Sequence, residues 1–281
     1  MLRRAVRFLD PRGETRIGSQ VGDDVIDAGP SGPRGFDAAP ESWARIEQAA
    51  GERYAVADIR LLAPTVPGKV LCIGSNYKDH IRETNSPTPE YPIVFVKLTS
   101  AIVGPDDAIV IPLDEPQTDW EAELGLIIGT TTRRATGDAA VAAIGGLTAV
   151  NDVSGRYAQL ATGLGQYTRG KSFDTFAPIG PAVVHPDDVD MNDLAIRLRI
   201  DGETMQDSNT GQLLFGPGEL VEWLSAASTL EPGDVIATGT PGGVGHALSP
   251  QRYLQPGEVV EVDIESIGVL RNPVVAEEEA S

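Results

Sequence analysis

Short apolar runs of strand length, each bounded by turn residues, recur along most of this chain. Clear examples cover residues 70–73, 93–96, 108–111 and 194–200. Runs of this kind are typical of β-strands. Asp201-Gly202 follows the last of them and is a strong signal for a two-residue hairpin. The pattern therefore predicts a chain built mainly from strands.

Helical segments are fewer and do not alternate regularly with the strands. The sequence predicts them over residues 41–50, 138–144, 156–162 and 219–229. Regular alternation of strand and helix would favour a Rossmann fold or a TIM barrel, and its absence argues against both. We therefore predict an α+β fold that is predominantly β.

The composition along the chain suggests a small N-terminal part and a larger remainder. Strand signals at residues 5–8 and 25–27, a Gly- and Pro-rich loop and the helix at 41–50 predict a small α/β unit. We predict a small N-terminal α/β domain over residues 1–65, a catalytic domain over residues 66–275 and an acidic tail over residues 276–281.

The charge balance restricts the partners of the chain. Its formal net charge is −19, and such a surface repels nucleic acid and anionic membranes, so we expect neither as a partner. No apolar run approaches the ~20 residues of a membrane-spanning helix. A small anionic substrate would need a local positive site, and all the lysines lie between residues 69 and 171. They are Lys69, Lys78, Lys97 and Lys171.

A single cysteine, Cys72, excludes an internal disulfide and any cysteine-cluster metal site. It lies in an apolar run, which indicates an inert buried thiol rather than a nucleophile. We expect a reducing cytoplasmic location, with no signal peptide, because no apolar segment follows the basic start of the chain.

Two glutamates stand two positions apart in a predicted strand, Glu121 and Glu123. Side chains alternate faces along a strand, so both point the same way. Neighbouring carboxylates repel when they are buried, and a divalent cation such as Mg²⁺, Mn²⁺ or Ca²⁺ removes that penalty. The alternative is an acidic strand face directed to solvent.

Asp152 lies where a predicted strand ends and a helix begins. A carboxylate in that position can complete a three-oxygen metal site and leave coordination positions open for substrate and water. The alternative is that Asp152 or Ser154 caps the helix that follows.

Two further segments contain candidates for acid–base and charge chemistry. Lys171 lies among small and aromatic residues and can neutralise an anionic oxygen near a metal. His80 and Glu83 share a face of a short helix, where the glutamate can orient the imidazole as a general base. The alternatives are a surface lysine and an ordinary surface ion pair.

A glycine-rich loop follows a strand at residues 236–245. It matches neither a Walker loop nor a dinucleotide fingerprint, so we predict no nucleotide. Thr240 and backbone N–H groups of this loop can instead contact a carboxylate. A G-x-S-x-G elbow is absent from the sequence, and we assign no role to His185 or His246.

Taken together, these segments resemble the fumarylacetoacetate hydrolase family over roughly residues 66 to 272. The motifs that carry the resemblance occur in the order of the family: G-x-N-Y-x-x-H-x-x-E from Gly74, W-E-x-E-L from Trp120, N-D-V-S from Asn151, G-K-S-F-D-T-F from Gly170, Q-D-S-N-T from Gln206 and T-G-T-P from Thr238.

The resemblance implies a mixed β-sandwich or roll around a Mg²⁺, Mn²⁺ or Ca²⁺ site, usually in a homodimer. It also implies roles for particular residues. Glu121, Glu123 and Asp152 match the metal ligands of the family, and Lys171 matches the lysine that stabilises the enolate. His80 and Glu83 match the dyad on a mobile lid of the family. Arg156, Gln159 and Thr240 match polar residues near the substrate.

One segment departs from the family pattern. Gly155, Tyr157 and Ala158 stand where members commonly have alanine, aspartate and often tryptophan. We expect these changes to alter the pocket beside an intact metal site.

The predicted activity is metal-dependent chemistry on a small anionic 2-oxo or 2-hydroxydienoic acid. Our first choice is hydrolysis of a C–C bond in an acylpyruvate, or isomerisation through a metal-stabilised enolate. The alternative is a decarboxylase or tautomerase of oxaloacetate-like acids. A third hypothesis is a family member that binds metal and ligand without catalysis.

Overall fold

The computed structural model describes residues 2–161 and 165–278. In chain order the strands are β1 (Arg4–Leu9), β2 (Thr15–Val21), β3 (Asp24–Pro30), β4 (Arg53–Ala55), β5 (Arg60–Leu62), β6 (Val70–Gly74), β7 (Ile93–Lys97), β8 (Ile102–Val103), β9 (Ile109–Ile111), β10 (Thr118–Asp119), β11 (Ala122–Ile128), β12 (Ile144–Asn151), β13 (Ser154–Gly155), β14 (Ala177–Val184), β15 (Ala195–Ile200), β16 (Glu203–Asn209), β17 (Val235–Ala237), β18 (Val259–Ile264) and β19 (Gly268–Ala276). The helices are α1 (Pro40–Glu47), α2 (Lys78–Glu83), α3 (Asp138–Ala142), α4 (Arg156–Leu160), α5 (Tyr167–Lys171) and α6 (Pro217–Ala227).

Two sheets contain almost all of these strands. The large sheet has the order β4-β3-β2-β1-β14-β12-β11-β17-β6-β7, with β5 beside β1 and β8 beside β14. Most of its pairs are antiparallel, but β17 and β6 are parallel, so the sheet is mixed. The smaller sheet has the order β16-β15-β18-β19-β9, and β10 pairs with β13 in a short ribbon.

The main core lies between the two sheets. Leu124 and Leu126 of β11 pack in one cluster with Leu198 of β15, Val262 of β18 and Leu270 of β19. All seven residues of β11 are buried, because the strand is central and is covered on both faces. The prediction of a mixed β-sandwich, predominantly β, is confirmed.

The outer face of the large sheet has a core of its own. Trp43 and Ile46 of α1 belong to a cluster with Ile127 of β11, Val150 of β12 and Cys72 of β6. The odd-numbered positions of β11 therefore point to this face and the even-numbered ones to the sandwich interior. This division decides where the candidate site lies.

Most predicted elements are present with shifted ends. The helix expected over 138–144 ends at Ala142, because β12 begins at Ile144. The helix expected over 41–50 spans Pro40–Glu47, and that over 219–229 spans Pro217–Ala227. The helix predicted over 156–162 ends at Leu160, and its last predicted residue lies outside the described residues.

Asp201-Gly202 connects β15 to β16, with positive φ angles of 50° and 81°. This is the tight hairpin that the dipeptide predicts.

The N-terminal strands continue the large sheet, because β1 pairs with β14. The division at residue 65 stays a prediction. Among the described residues, no helix has both the length and the apolar character needed to cross a membrane.

Candidate active site

Three buried carboxylates meet on the outer face of the large sheet. Glu121 directly precedes β11, Glu123 is the second residue of that strand, and Asp152 directly follows β12. Each offers an oxygen within 4.8 Å of the others. The side chain of Asp152 is completely buried and that of Glu123 nearly so. The alternative of a solvent-facing acidic strand is therefore wrong, and the alternation rule correctly predicted that the two glutamates share a face.

Two of the three carboxylates have cationic partners within the chain. Glu121 Oε1 accepts from Arg156 Nη2 at 2.6 Å, and Glu121 Oε2 accepts from Lys171 Nζ at 2.7 Å. Lys171 Nζ also donates to Asp152 Oδ2 at 2.9 Å. Burial alone would raise the pKa of Glu121, but Lys171 and Arg156 outweigh it and lower the pKa. Glu121 is thus held as a carboxylate.

Glu123 is different, because no cation of the described chain pairs with it. Its Oε2 accepts only the backbone N–H of Gly239, at 2.7 Å. Burial raises the pKa of Glu123 well above its ordinary value, and the charges of Asp152 and Glu121 raise it further. A divalent cation would supply the missing counter-charge, and an all-oxygen donor set suits a hard ion. The residues present therefore fit a metal site.

Lys97 is a member of the cluster that the sequence analysis missed. Its Nζ donates to Asp152 Oδ1 and, at 3.0 Å, to the carbonyl oxygen of Val153. Lys97 ends β7 and is fully buried, although its neighbour Val96 is exposed. The signal was available: Lys97 stands two positions after Phe95, on the inward-pointing side of the strand.

A cavity of about 490 Å³ opens beside the carboxylates. Several residues predicted to act on the substrate line it: His80, Glu83, Lys171, Arg156, Gln159 and Thr240. Of the predicted metal ligands, Glu121 reaches the same cavity. The fold thus brings together residues that are far apart in the sequence.

His80 and Glu83 reach the cavity from α2. His80 Nδ1 lies 3.4 Å from Glu83 Oε2, a long contact. Glu83 also accepts the backbone N–H of Gly243, at 2.9 Å. The short helix ends at Glu83, and irregular chain leads from it to β7, as the prolines in this segment predict. That this segment is a mobile lid stays a prediction.

Comparison with known proteins identifies the chain. The family model described as fumarylacetoacetate (FAA) hydrolase C-terminal matches residues 69–275. The chain belongs to the fumarylacetoacetate hydrolase family. The residues matched contain every predicted site residue, from His80 to Thr240.

Several members of this family are similar over most of the chain. Mitochondrial oxaloacetate tautomerase of Bos taurus is 46% identical over 220 residues, which cover 78% of this chain and 70% of that protein. The structure of 5-carboxymethyl-2-hydroxymuconate delta-isomerase from Mycobacterium smegmatis has a TM-score of 0.82 and 37% identity, covering 98% of this chain and 100% of that one. Fumarylacetoacetate hydrolase from Exiguobacterium antarcticum has a TM-score of 0.87 and 37% identity, with the same coverage.

The residues that depart from the family pattern do not line the cavity, and the expectation that they alter the pocket stays a prediction. Tyr157 is 54% exposed and Ala158 is buried, and neither lines the cavity. The glycine at 155 has a local reason. A Cβ there would lie 2.7 Å from Glu115 Oε2.

Glu115 is a second residue that the sequence analysis missed. Its side chain is completely buried and accepts the backbone N–H groups of Tyr157 at 3.1 Å and Ala158 at 2.7 Å. It therefore caps α4, the helix that carries Arg156 and Gln159. The alternative that Asp152 or Ser154 caps this helix is wrong.

Asp119 is a third residue that the sequence analysis missed. Its Oδ2 accepts from Arg156 Nε at 2.8 Å, and its Oδ1 accepts from the backbone of Gly245 at 2.8 Å. Gln206 acts in a similar way, because it accepts from the backbone of Ala122 at 2.9 Å and donates to Thr240 Oγ1 at 2.8 Å. Asp119 thereby connects β10 to α4 and to the loop at Gly245, and Gln206 connects β11 to the loop at Thr240.

Proposed function

We propose that this chain is a divalent-metal enzyme that moves a proton within a small 2-oxo acid, as a tautomerase or isomerase. One observation carries the proposal: a cluster of three carboxylates fit for a cation and a histidine–glutamate pair meet at one cavity. The relatives named as a tautomerase and a delta-isomerase support it. They favour oxaloacetate, which the sequence analysis ranked second, as the first substrate to test.

Glu121, Glu123 and Asp152 would hold the cation, with Mg²⁺ as our first choice and Mn²⁺ or Ca²⁺ as alternatives. The ion would supply Lewis-acid polarisation of the 2-oxo acid. Burial and the neighbouring carboxylates raise the pKa of Glu123, because the negative charges of the cluster are not fully compensated. A bound cation would compensate them.

The residues of the chain supply the rest of the chemistry. Arg156, Gln159 and Thr240 offer hydrogen bonds to the carboxylate of the substrate. Burial lowers the pKa of Lys171, but Asp152 and Glu121 outweigh it and leave the pKa raised, so the ammonium persists at neutral pH. A buried positive charge at this end of the cavity stabilises the negative oxygen of an enolate.

His80 is the base of the proposed reaction, and Glu83 orients its ring. The C–H bond next to the oxo group breaks, and its electron pair forms the carbon–carbon double bond. The carbonyl electron pair moves to oxygen, which takes up the proton that His80 received. Protons and electrons balance without any further reactant.

Hydrolysis is the second candidate, since one of the similar structures is named a fumarylacetoacetate hydrolase. In that case His80 would activate water instead of removing a proton from carbon. A decarboxylase would release carbon dioxide, and a non-catalytic binder would release nothing. The products therefore separate the hypotheses.

The test is an assay of the purified protein with Mg²⁺, Mn²⁺ or Ca²⁺. Enol absorbance would be followed for oxaloacetate, a 2-hydroxydienoate and an acylpyruvate, and products would be identified by NMR. We expect metal-dependent enol–keto conversion of oxaloacetate without loss of carbon. Carbon dioxide or a cleaved acid as the main product would move the assignment to the decarboxylase or the hydrolase. No acceleration of any substrate would contradict an enzymatic role.

We also propose that the chain forms a homodimer. β7 is at the end of the large sheet, and Ile93, Val94 and Val96 on it are each more than a third exposed. An exposed apolar edge strand tends to pair with another chain, so this edge favours self-association. A second copy that covers it would bury more than about 1,000 Å². Sedimentation that finds only monomer at micromolar concentration would contradict this.

The cytoplasmic location inferred from the single cysteine remains part of the proposal, although the bovine relative is named mitochondrial. Cell fractionation with an antibody against the chain tests it.

A further inference from the structure

His246 lines the same cavity as His80 but has no part in the proposed proton transfer. It lies in the loop that begins at Thr240. Val244 and Ala247 of the same loop also line the cavity. A histidine at the wall of a substrate cavity can recognise a polar group of the ligand.

A chain of hydrogen bonds runs from the metal-binding carboxylates outward to His246. Glu121 accepts from Arg156, and Arg156 donates in turn to Asp119 Oδ2. The same Oδ2 accepts the backbone N–H of His246 at 3.0 Å. Asp119 therefore connects Arg156 to the backbone of His246. The charges that act on its ring are those of Arg156 and Asp119, rather than those of the metal-binding carboxylates.

The ring of His246 is held on one side. Its Nδ1 lies 3.0 Å from the hydroxyl of Tyr253 and 3.3 Å from Gln251 Nε2. Within the described part of the chain, Nε2 makes no hydrogen bond. Burial lowers the pKa of His246, and Arg156 lowers it further, so the ring is neutral at pH 7. The hydroxyl of Tyr253 donates its proton to Gln251 Oε1 at 3.0 Å, and Gln251 Nε2 donates to Nδ1. When Nδ1 accepts from Gln251, the proton of the neutral ring is on Nε2, which is then a donor.

The cavity has room for a substrate longer than oxaloacetate. Its volume of about 490 Å³ falls in the range of pockets that enclose drug-sized ligands. Phe95, Leu160 and Tyr167 line it as well, and the rings of Phe95 and Tyr167 pack 5.6 Å apart. These apolar side chains can cover the carbon chain of a ligand.

We propose that His246 forms a distal subsite, in which its Nε2–H donates to the terminal carboxylate of an extended 2-oxo diacid. The 2-oxo end of that acid binds at the metal cluster, and its carbon chain lies along the apolar wall. This subsite rests on the proposed function, because it takes the far end of the same substrate. It makes the enzyme selective for diacids over monoacids of equal length.

The test compares two ligands that differ only in the terminal group, 2-oxoadipate and 2-oxohexanoate. Their binding to the Mg²⁺-loaded protein would be measured by calorimetry. We expect the wild type to bind the diacid about tenfold more tightly, as one hydrogen bond to a charged group provides. His246→Leu should abolish that preference and leave the affinity for the monoacid nearly unchanged.

His185→Leu is the matched control. His185 is also partly buried but packs against Trp43, with ring centroids 4.9 Å apart, and does not line this cavity. The control should keep the preference. Tyr253→Phe is the second variant, in case His246→Leu does not fold. It removes the hydroxyl that donates to Gln251 Oε1, so the amide that keeps Nδ1 an acceptor is held less firmly, and the preference should weaken severalfold.

The outcomes separate the two proposals. No preference in the wild type, or a preference that survives in His246→Leu, would overturn the subsite. Equal weakening of both ligands in His246→Leu would overturn it too, because the residue would then act on the shared 2-oxo end. Absence of oxaloacetate turnover contradicts the proposed function, whereas the binding comparison does not depend on turnover.

Discussion

The proposed metal-binding end and the proposed base end of the cavity are built in different ways. At the metal end, Glu121 and Asp152 are buried and bound to Lys171 by contacts of 2.7 and 2.9 Å. At the other end, the side chains of His80 and Glu83 are 16% and 26% exposed and stand 3.4 Å apart. The first group is held by central strands of a two-sheet core, and the second by one short helix.

The difference matches the two tasks. Charges that stabilise an enolate act best when they are fixed in advance and shielded from water. A base that transfers a proton must come within reach of the substrate, and in many enzymes a movable segment brings it there. The comparison therefore predicts that changes at the metal end affect stability and activity together. Changes at the base end should affect activity alone.

Removal of the metal should have the largest effect. Chelation should abolish turnover and lower the Tm of the wild type, because the carboxylates repel one another when no metal is bound. Glu123→Gln should also be inactive, but its Tm should no longer respond to the chelator. Activity and Tm measured with and without EDTA check this. Full activity of Glu123→Gln in excess EDTA would contradict the metal assignment.

His80→Ala should come next, with a decrease in kcat of about 10²–10⁴-fold, the usual contribution of a general base. Metal affinity should stay nearly unchanged, because His80 is not a ligand. Steady-state kinetics and a metal titration on the same preparation test both statements. A rate within a few-fold of wild type would indicate a reaction that needs no base, such as decarboxylation. A large loss of metal affinity would place His80 among the ligands.

Asp119→Asn should have an intermediate effect. It removes the charge opposite Arg156 and should raise KM about tenfold with a smaller change in kcat, because a charged hydrogen bond contributes roughly 1.5–3 kcal/mol. Asp188→Asn is the control. Asp188 Oδ1 lies 2.9 Å from Arg3 Nη2, and neither residue lines the cavity. An equal change of KM in both variants would mean that the increase does not come from the contact between Asp119 and Arg156.

Glu83→Gln should be the mildest of the four. The amide retains an acceptor for the backbone N–H of Gly243 and for the ring of His80, but loses the negative charge beside that ring. We expect a decrease in kcat of a few-fold, at the lower end of general acid–base effects. A loss as large as that of His80→Ala would show that Glu83 itself transfers the proton.

Local patterns in the sequence predicted much of the fold and most of the candidate site. Strand-length runs indicated the β-rich architecture, and the spacing of Glu121 and Glu123 placed both on one face. Family motifs supplied the catalytic and substrate-binding candidates that line the cavity. Element ends were less well predicted, because the end of α3 depends on where β12 enters the sheet rather than on local propensity.

What the sequence by itself determined is which way each side chain points from its own strand, since the period of two is a local property of the backbone. Only the tertiary structure decided which faces meet. Lys97 reaches Asp152 across 55 positions of sequence, and Asp119 binds the backbone of His246 across 127. Strand order and sheet packing create such contacts, and neither can be read from the spacing within one segment. The pairing of Lys97 with Asp152 and the wall of the distal subsite therefore followed only from the tertiary structure.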